Sequence, residues 1–269
     1  MSNLKLIRNQ ATRLLSVGGS EVATTLDKLD EFLSPDDLLV FNDSATVPAS
    51  FRVKGERDLE LRLAAFAGNS LRVLDEWWTV AFGAGDWRSA TENRPPPREL
   101  IRGECLELSS SLKVIVIDVD EREPRLVKLK FQANDVIGAM YEAGVPIQYS
   151  YHREPLAIWD VQTKLAGLPL SVEPPSAALQ FNWRMLLSLK TRAGFLTHGA
   201  GLSSTGTESL DRRLPLPEFY SIPDETIHAL GETKRRGGRV IAVGTTTARA
   251  IESFIRTGVA EGITDLKLG

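Results

Sequence analysis

Apolar positions change their spacing more than once along this chain. Asp36 to Asn42 (DDLLVFN) follows the turn signal Ser34-Pro35-Asp36-Asp37 and carries an unbroken apolar run of strand length. That is the pattern of a strand buried on both faces. From about Phe51 to Phe131 the runs become short and β-like: LELRLAAF, LRVLDEWWTVAF, LKVIVIDVD and RLVKLKF. Residues 67–70 and 120–124 separate them as polar or Gly/Pro-bearing hairpin loops, so the stretch predicts a small antiparallel barrel or sandwich. Asn134 is then placed as the N-cap of a helix over DVIGAMYEA, with Gly144 as its stop and Pro146 just beyond. WRMLLSLKTR with Gly194 behind it, then GFLTH, reads as helix followed by strand. Pro223-Asp224 opens a further helix that runs through Lys234-Arg235-Arg236 and closes at Gly237-Gly238 before the strand RVIAVG. The expected fold is an α/β core with an inserted antiparallel β-barrel domain, the core comprising residues 1–50 and 132–269 and the insert residues 51–131.

Composition narrows the classes of function. With 42% hydrophobic and 25% charged residues in 269, the chain has the usage of a folded globular protein and not of a fibrous or disordered one. A net charge of −3 argues against a uniformly basic surface but leaves room for a local basic groove, so RNA is not excluded. Cys105 is the lone cysteine, which removes intrachain disulfides, CxxC redox motifs and cysteine-based zinc sites, and fits a reducing cytoplasm. No run of about 18 apolar residues occurs and the first residues lack a long apolar stretch, so neither secretion nor a membrane association is expected.

Two segments carry the sharpest candidate chemistry. RVIAVGTTTARAIES is read as a buried strand that ends at Gly244 and passes directly into a helix through Thr245, Thr246 and Thr247. Such a turn offers backbone N–H groups and hydroxyls at a positive helix end to a carboxylate or phosphate, or it is an ordinary strand-to-helix turn with threonine caps. The Gly-Lys-Ser/Thr core of a P-loop is absent. The second segment, Thr197-His198-Gly199-Ala200-Gly201-Leu202-Ser203-Ser204, is a glycine-rich turn after a strand, read either as a ligand-contacting loop or as a flexible connection. His152, His198 and His228 show no metal-ligand spacing, so no metal is expected. His228 reads as a surface residue, and Lys234-Arg235-Arg236 as cations favoured by a helix C-terminus. Arg8, Arg13, Arg52, Lys54, Arg57, Arg184, Lys190 and Arg192 would make a basic surface only if the fold brings them together.

Six segments, in order, resemble the S-adenosylmethionine:tRNA ribosyltransferase-isomerases of queuosine biosynthesis. They are Ala11-Thr12-Arg13-Leu14-Leu15, DDLLVFNDSATVPAS (36–50), VQTKLAG (161–167), PPSAALQF (174–181), GAGLSS (199–204) and RVIAVGTTTARAIES (239–253). The resemblance implies an α/β core with an inserted β-barrel. It also implies a reaction that moves the ribosyl part of S-adenosylmethionine onto 7-aminomethyl-7-deazaguanine in tRNA and rearranges it to an epoxycyclopentanediol, releasing adenine and methionine. That chemistry asks for a positioned base, polar contacts to the ribose and a clamp for the methionine carboxylate. On this basis Asp43 and His198 are the catalytic candidates. Asn42, Gln162, Thr163, Ser176, Gln180, Gly199, Gly201, Gly244, Thr245 and Thr246 are candidate contacts to S-adenosylmethionine, and Arg13 and Arg249 to tRNA.

The chain also departs from the family pattern. Gln180 stands where the family has a histidine, Ala45 where it has an arginine, and Leu214-Pro215-Leu216-Pro217-Glu218 keeps the family glutamate without its histidines. His198 directly abuts GAG, whereas the family histidine lies two residues before it; in a strand, that slip turns the imidazole to the other face. Both ends read as short for the family, as in a fragment or a shortened paralogue. Two alternatives to the tRNA reaction are a transferase that uses S-adenosylmethionine on a non-tRNA amine and a non-catalytic RNA- or nucleoside-binding paralogue.

Overall fold

The computed structural model describes residues 12–16 and 22–268, and its architecture is mixed α/β. Arg13–Ser16 (β1) and Val22–Thr25 (β2) pair antiparallel. The strand expected from DDLLVFN is β3 (Leu38–Asn42), buried at all five positions. It runs parallel to β12 (Arg192–His198) on one side and β14 (Val240–Val243) on the other. β13 (Glu218–Ser221) and β15 (Glu261–Thr264) extend this sheet antiparallel, giving the order β14-β3-β12-β13-β15.

Alternation along β3 sorts its side chains onto two apolar layers. Leu38 and Val40 join Leu196, Ala250 and Ile251 under α4 (Asp224–Arg235) and α5 (Thr245–Thr257). Leu39 and Phe41 meet Leu165, Ala178 and Phe181 on the opposite face, covered by a 3-10 turn over Ser176–Gln180 and by α2 (Trp183–Ser188). Helical elements on both faces explain why β3 carries no polar residue before Asn42.

The predicted β-rich stretch is a six-stranded antiparallel sheet ordered β5 (Ser50–Arg52), β6 (Glu60–Phe66), β7 (Glu76–Phe82), β10 (Leu126–Gln132), β9 (Lys113–Val119), β8 (Cys105–Glu107). The two hairpin loops fall where the pattern placed them, between β6 and β7 and between β9 and β10. Its apolar cluster runs past residues 51–131, taking in Val47 and Met140 and then Leu170, Leu202, Leu210 and Phe219 from the later segment. Two short strands, β4 (Ala45–Thr46) and β11 (Pro169–Ser171), pair parallel, and a short helix α3 (Glu208–Asp211) follows the glycine-rich turn.

Local details differ from the sequence reading for physical reasons. Helix α1 (Val136–Ala143) is capped by Asp135, whose carboxylate accepts from Gly138 N at 3.0 Å, not by Asn134. Gly194 lies within β12 and does not stop the preceding helix, which ends at Ser188. β14 is not buried: it is the sheet's edge and Val240 is 40% exposed, because strand order, unlike strand identity, is not written in the local pattern.

The sheet is tied at its lower end by Asp37. Its buried carboxylate accepts from Ser34 N at 2.8 Å and Arg239 N at 2.7 Å and pairs with the Arg239 guanidinium at 2.6 Å, joining the start of β3 to the start of β14. Arg239 holds this carboxyl well below the usual range. A depressed pKa gives stability that is present above the unfolded value of about 3.9 and is lost as pH falls through the folded value. Asp37→Asn is therefore expected to lower stability by about 1–2 kcal/mol at pH 7, screened because Arg239 faces solvent. Urea titrations at pH 7 and near pH 2 should show the gap shrinking in acid; an equal gap at both would contradict the ion pair's role.

Candidate functional site

The carboxyl ends of the parallel strands β3, β12 and β14 bring Asn42-Asp43, Thr197-His198 and Gly244 to one edge of the sheet. In open α/β sheets this edge is where ligands bind. Asn42 is the hub. Its amide nitrogen donates to the His198 carbonyl at 2.8 Å and to Thr246 Oγ1 at 3.1 Å, while its oxygen accepts from His198 N and Ser44 N, each at 3.0 Å. Fully buried, the side chain reads as a bracket fixing β12 and the start of α5 to the end of β3.

Asp43, the next residue, turns to the other face. Its Oδ1 accepts from Thr197 Oγ1 at 2.7 Å, and its backbone carbonyl accepts from Gly167 N at 2.7 Å. Burial pushes the Asp43 carboxyl up from its ordinary value, and the Thr197 hydroxyl pulls it partly back. Thr197, two residues before Gly199-Ala200-Gly201, is a member of this site that its residue type alone does not mark.

Gly244 has φ +95, closed to other residues, and leads into α5 without a side-chain cap. A Cβ there would approach Ala177 Cβ to 3.1 Å, so the turn bearing Ser176 and Gln180 packs close beside it. The α5 start thus leaves backbone N–H groups uncapped by any side chain, beside an exposed Thr245 and a Thr246 hydroxyl engaged by Asn42. Thr247 bends its hydroxyl back onto Val243 O at 2.9 Å. Gln180 accepts from Thr12 Oγ1 at 2.8 Å, and Ser176 is exposed.

Other candidates serve the frame. Gln162 pairs with the backbone of Thr46, accepting from its N at 2.7 Å and donating to its O at 3.1 Å. Thr163 is buried and its hydroxyl has no partner among the described residues. Gly199 lies against Leu170, and Gly201 presses on Ala64 O and on Glu218, to which it donates its N–H at 2.6 Å. That donor is spent within the protein.

His198 lies on the α5 side of the strand, wholly buried, with its Nε2 3.5 Å from Glu218. Burial, helped by the Arg249 charge, pushes its pKa down to about 3, so the ring is neutral at pH 7 and the contact is not an ion pair. The ion pair is that of Glu218 with Arg249, which is 5% exposed and also donates to Leu266 O at 2.6 Å. Arg249 therefore cannot present its charge to an RNA backbone, correcting the expectation from sequence. Likewise, His198 is sealed away from the face that carries Asp43. Arg8 and the side chain of Arg13 lie outside the described residues. Among the described residues no cluster of three or more metal-ligating side chains occurs, and no helix is long and apolar enough to cross a membrane.

A family model described as "Queuosine biosynthesis protein" matches residues 5–268. A Thermotoga maritima protein named S-adenosylmethionine:tRNA ribosyltransferase-isomerase is 30% identical over 247 residues, covering 88% of this chain and 68% of that protein. A Thiobacillus denitrificans protein of the same name is 32% identical over 263 residues, covering 93% and 70%. A crystal structure of S-adenosylmethionine tRNA ribosyltransferase from Thermotoga maritima aligns with 96% of this chain and 71% of that one, at 22% identity and a TM-score of 0.39.

The Thr197 hydroxyl favours the ionised form of Asp43, so Thr197→Val should raise the Asp43 pKa further. Carboxyl carbon chemical shifts followed against pH measure this directly; an unmoved midpoint would mean that the hydroxyl does not tune the carboxylate.

Proposed function

The chain belongs to the queuosine biosynthesis protein family, and from that premise we propose that it transfers and isomerises the ribosyl group of S-adenosylmethionine onto 7-aminomethyl-7-deazaguanine in tRNA. The observation that carries this reading is the convergence of Asp43, Thr197 and the uncapped start of α5 at the carboxyl ends of parallel strands. The positive helix end, with the backbone N–H groups of Thr245 and Thr246, holds the methionine carboxylate. Asp43, half-buried and a stronger base than an ordinary carboxylate, takes up the proton that the reaction must remove near the ribose. Asn42 keeps the two elements in register, and the turn bearing Ser176 and Gln180 packs beside Gly244 through Ala177. His198 acts from beneath, as a neutral buried support of the GAG turn.

The six-stranded antiparallel sheet is read as a barrel-like unit inserted between the two segments of the α/β core. Supporting this, Lys54 N donates to Glu107 O at 2.7 Å, so the edges led by β5 and β8 approach each other. The reaction needs no membrane, and the cytoplasm, where tRNA is matured, is its proposed place.

Mass spectrometry of tRNA carrying the aminomethyl precursor, incubated with protein and S-adenosylmethionine, should show the epoxycyclopentanediol product with equimolar adenine. Asp43→Asn is expected to slow this about 10²-fold or more without changing the melting transition. Retained turnover would reduce the aspartate to a turn residue, and no product from the unaltered chain would remove the transferase reading.

A further inference from the structure

The antiparallel sheet gathers arginines out of keeping with a net charge of −3. A cavity of about 360 Å³ opens between β5, residues 83–90 and the segment after α1, and none of the Asp43 cluster borders it. Its size falls at the small end of the roughly 300–1,000 Å³ usual for ligand pockets. Arg52, Glu60, Arg62, Asp86 and Trp87 stand on its wall, with Leu108 and Pro146 among its apolar members.

The carboxylates here are already neutralised. Glu60, buried, takes Arg62 Nε at 2.6 Å, Arg94 Nη1 at 2.8 Å and Ser50 Oγ at 2.8 Å, and Arg52 approaches it to 3.3 Å. Asp86 is paired with Arg88 at 2.8 Å. Four guanidiniums thus pair with two carboxylates, Arg52 and Arg62 on the cavity wall and Arg88 and Arg94 behind it. Arg94, its side chain 1% exposed, is spent on Glu60 and on carbonyls of the 83–85 turn, including Gly83 O at 2.5 Å, whereas Arg52 also donates to Gly85 O and Arg57 O but keeps a side chain 43% exposed. Arg62 is different: it is 1% exposed, and its Nη1 has no hydrogen-bond partner among the described residues. Trp87 carries Arg88 over its ring at 4.3 Å and also borders the cavity.

We infer that this cavity is a nucleotide subsite, with a phosphate group held by Arg52 and Arg62 and its base stacked on Trp87. Surplus guanidinium charge beside neutralised carboxylates suits phosphate oxygens. The indole and the apolar wall of Leu108 and Pro146 favour a planar base over a bare inorganic anion, since stacking on an aromatic side chain accepts any base. The nucleotide is either free or one unit of an RNA strand. The inference does not depend on the Asp43 site or on turnover there.

Calorimetric titration of the full chain with adenosine 5′-monophosphate and with adenosine tests it, alongside filter binding of tRNA. The monophosphate is expected to bind at least tenfold more tightly than the nucleoside, and to weaken as salt rises. Arg52→Gln and Trp87→Ala, both at partly exposed side chains, should each weaken it at least tenfold while melting as the unaltered chain does. Displacement of the monophosphate by tRNA, or a tenfold loss of tRNA affinity in these variants, assigns the site to RNA. Monophosphate binding unaffected by saturating tRNA assigns it to the free nucleotide. The inference is overturned if the monophosphate binds no better than adenosine and tRNA affinity is unchanged in both variants. It is equally overturned if the monophosphate binds but neither substitution weakens it, because the binding then lies elsewhere. These readouts do not involve adenine release, so failure of the transferase reading would leave them intact.

Discussion

A buried amide must find partners for its donors and acceptors, and Asn42 meets that demand by reaching the neighbouring strand β12, helix α5 and the backbone of Ser44 at once. Through the His198 backbone it locks the ends of β3 and β12 in register, and through Thr246 it sets where α5 begins. Replacing it with an apolar side chain would leave the His198 and Ser44 N–H groups unpaired in a dry interior. The geometry of the open edge is consequently decided by one side chain that itself faces no solvent.

The two faces of this sheet edge do different work. Beneath it, Glu218 binds Gly201 N and Arg249 while His198 lies neutral against it, so a polar cluster is buried under the glycine-rich turn. Burial pushes the Glu218 carboxyl up while the Arg249 charge pulls it down, and the pairing is what makes a buried arginine tolerable there. Above it, Asp43 stays half-open, tuned by one threonine. One residue of strand register separates Thr197 from His198 and thereby separates a tuned carboxylate from a sealed support.

Much of the frame was legible in the sequence. An apolar run with no alternation identifies β3, Pro223-Asp224 and Gly237 bound α4, and the Gly244 turn into α5 follows from a glycine between a strand pattern and threonines. What was not legible depends on partners distant in the chain. β14 reads as a core strand from its own residues, yet it is exposed because among the described residues no further strand lies beyond it in the sheet. Arg249 reads as a candidate contact to tRNA, and only the arrival of Glu218 from β13 and Leu266 O from the segment after β15 explains its burial. The glycines of GAG looked like a ligand cradle, but their small size is used by Leu170, Ala64 and Glu218. Thr197 needed the strand's facing to be known before its contact with Asp43 could be drawn.

On the proposed function, the strand-end edge organised by Asn42 receives S-adenosylmethionine. Backbone amide chemical shifts recorded during titration with S-adenosylmethionine test it most directly. The largest changes are expected at Gly244 to Thr247, Asp43 and Thr197, with smaller ones at Ser176 to Gln180. Saturable binding whose shifts instead concentrate around Arg62 and Trp87, leaving Gly244 to Thr247 unmoved, would contradict it.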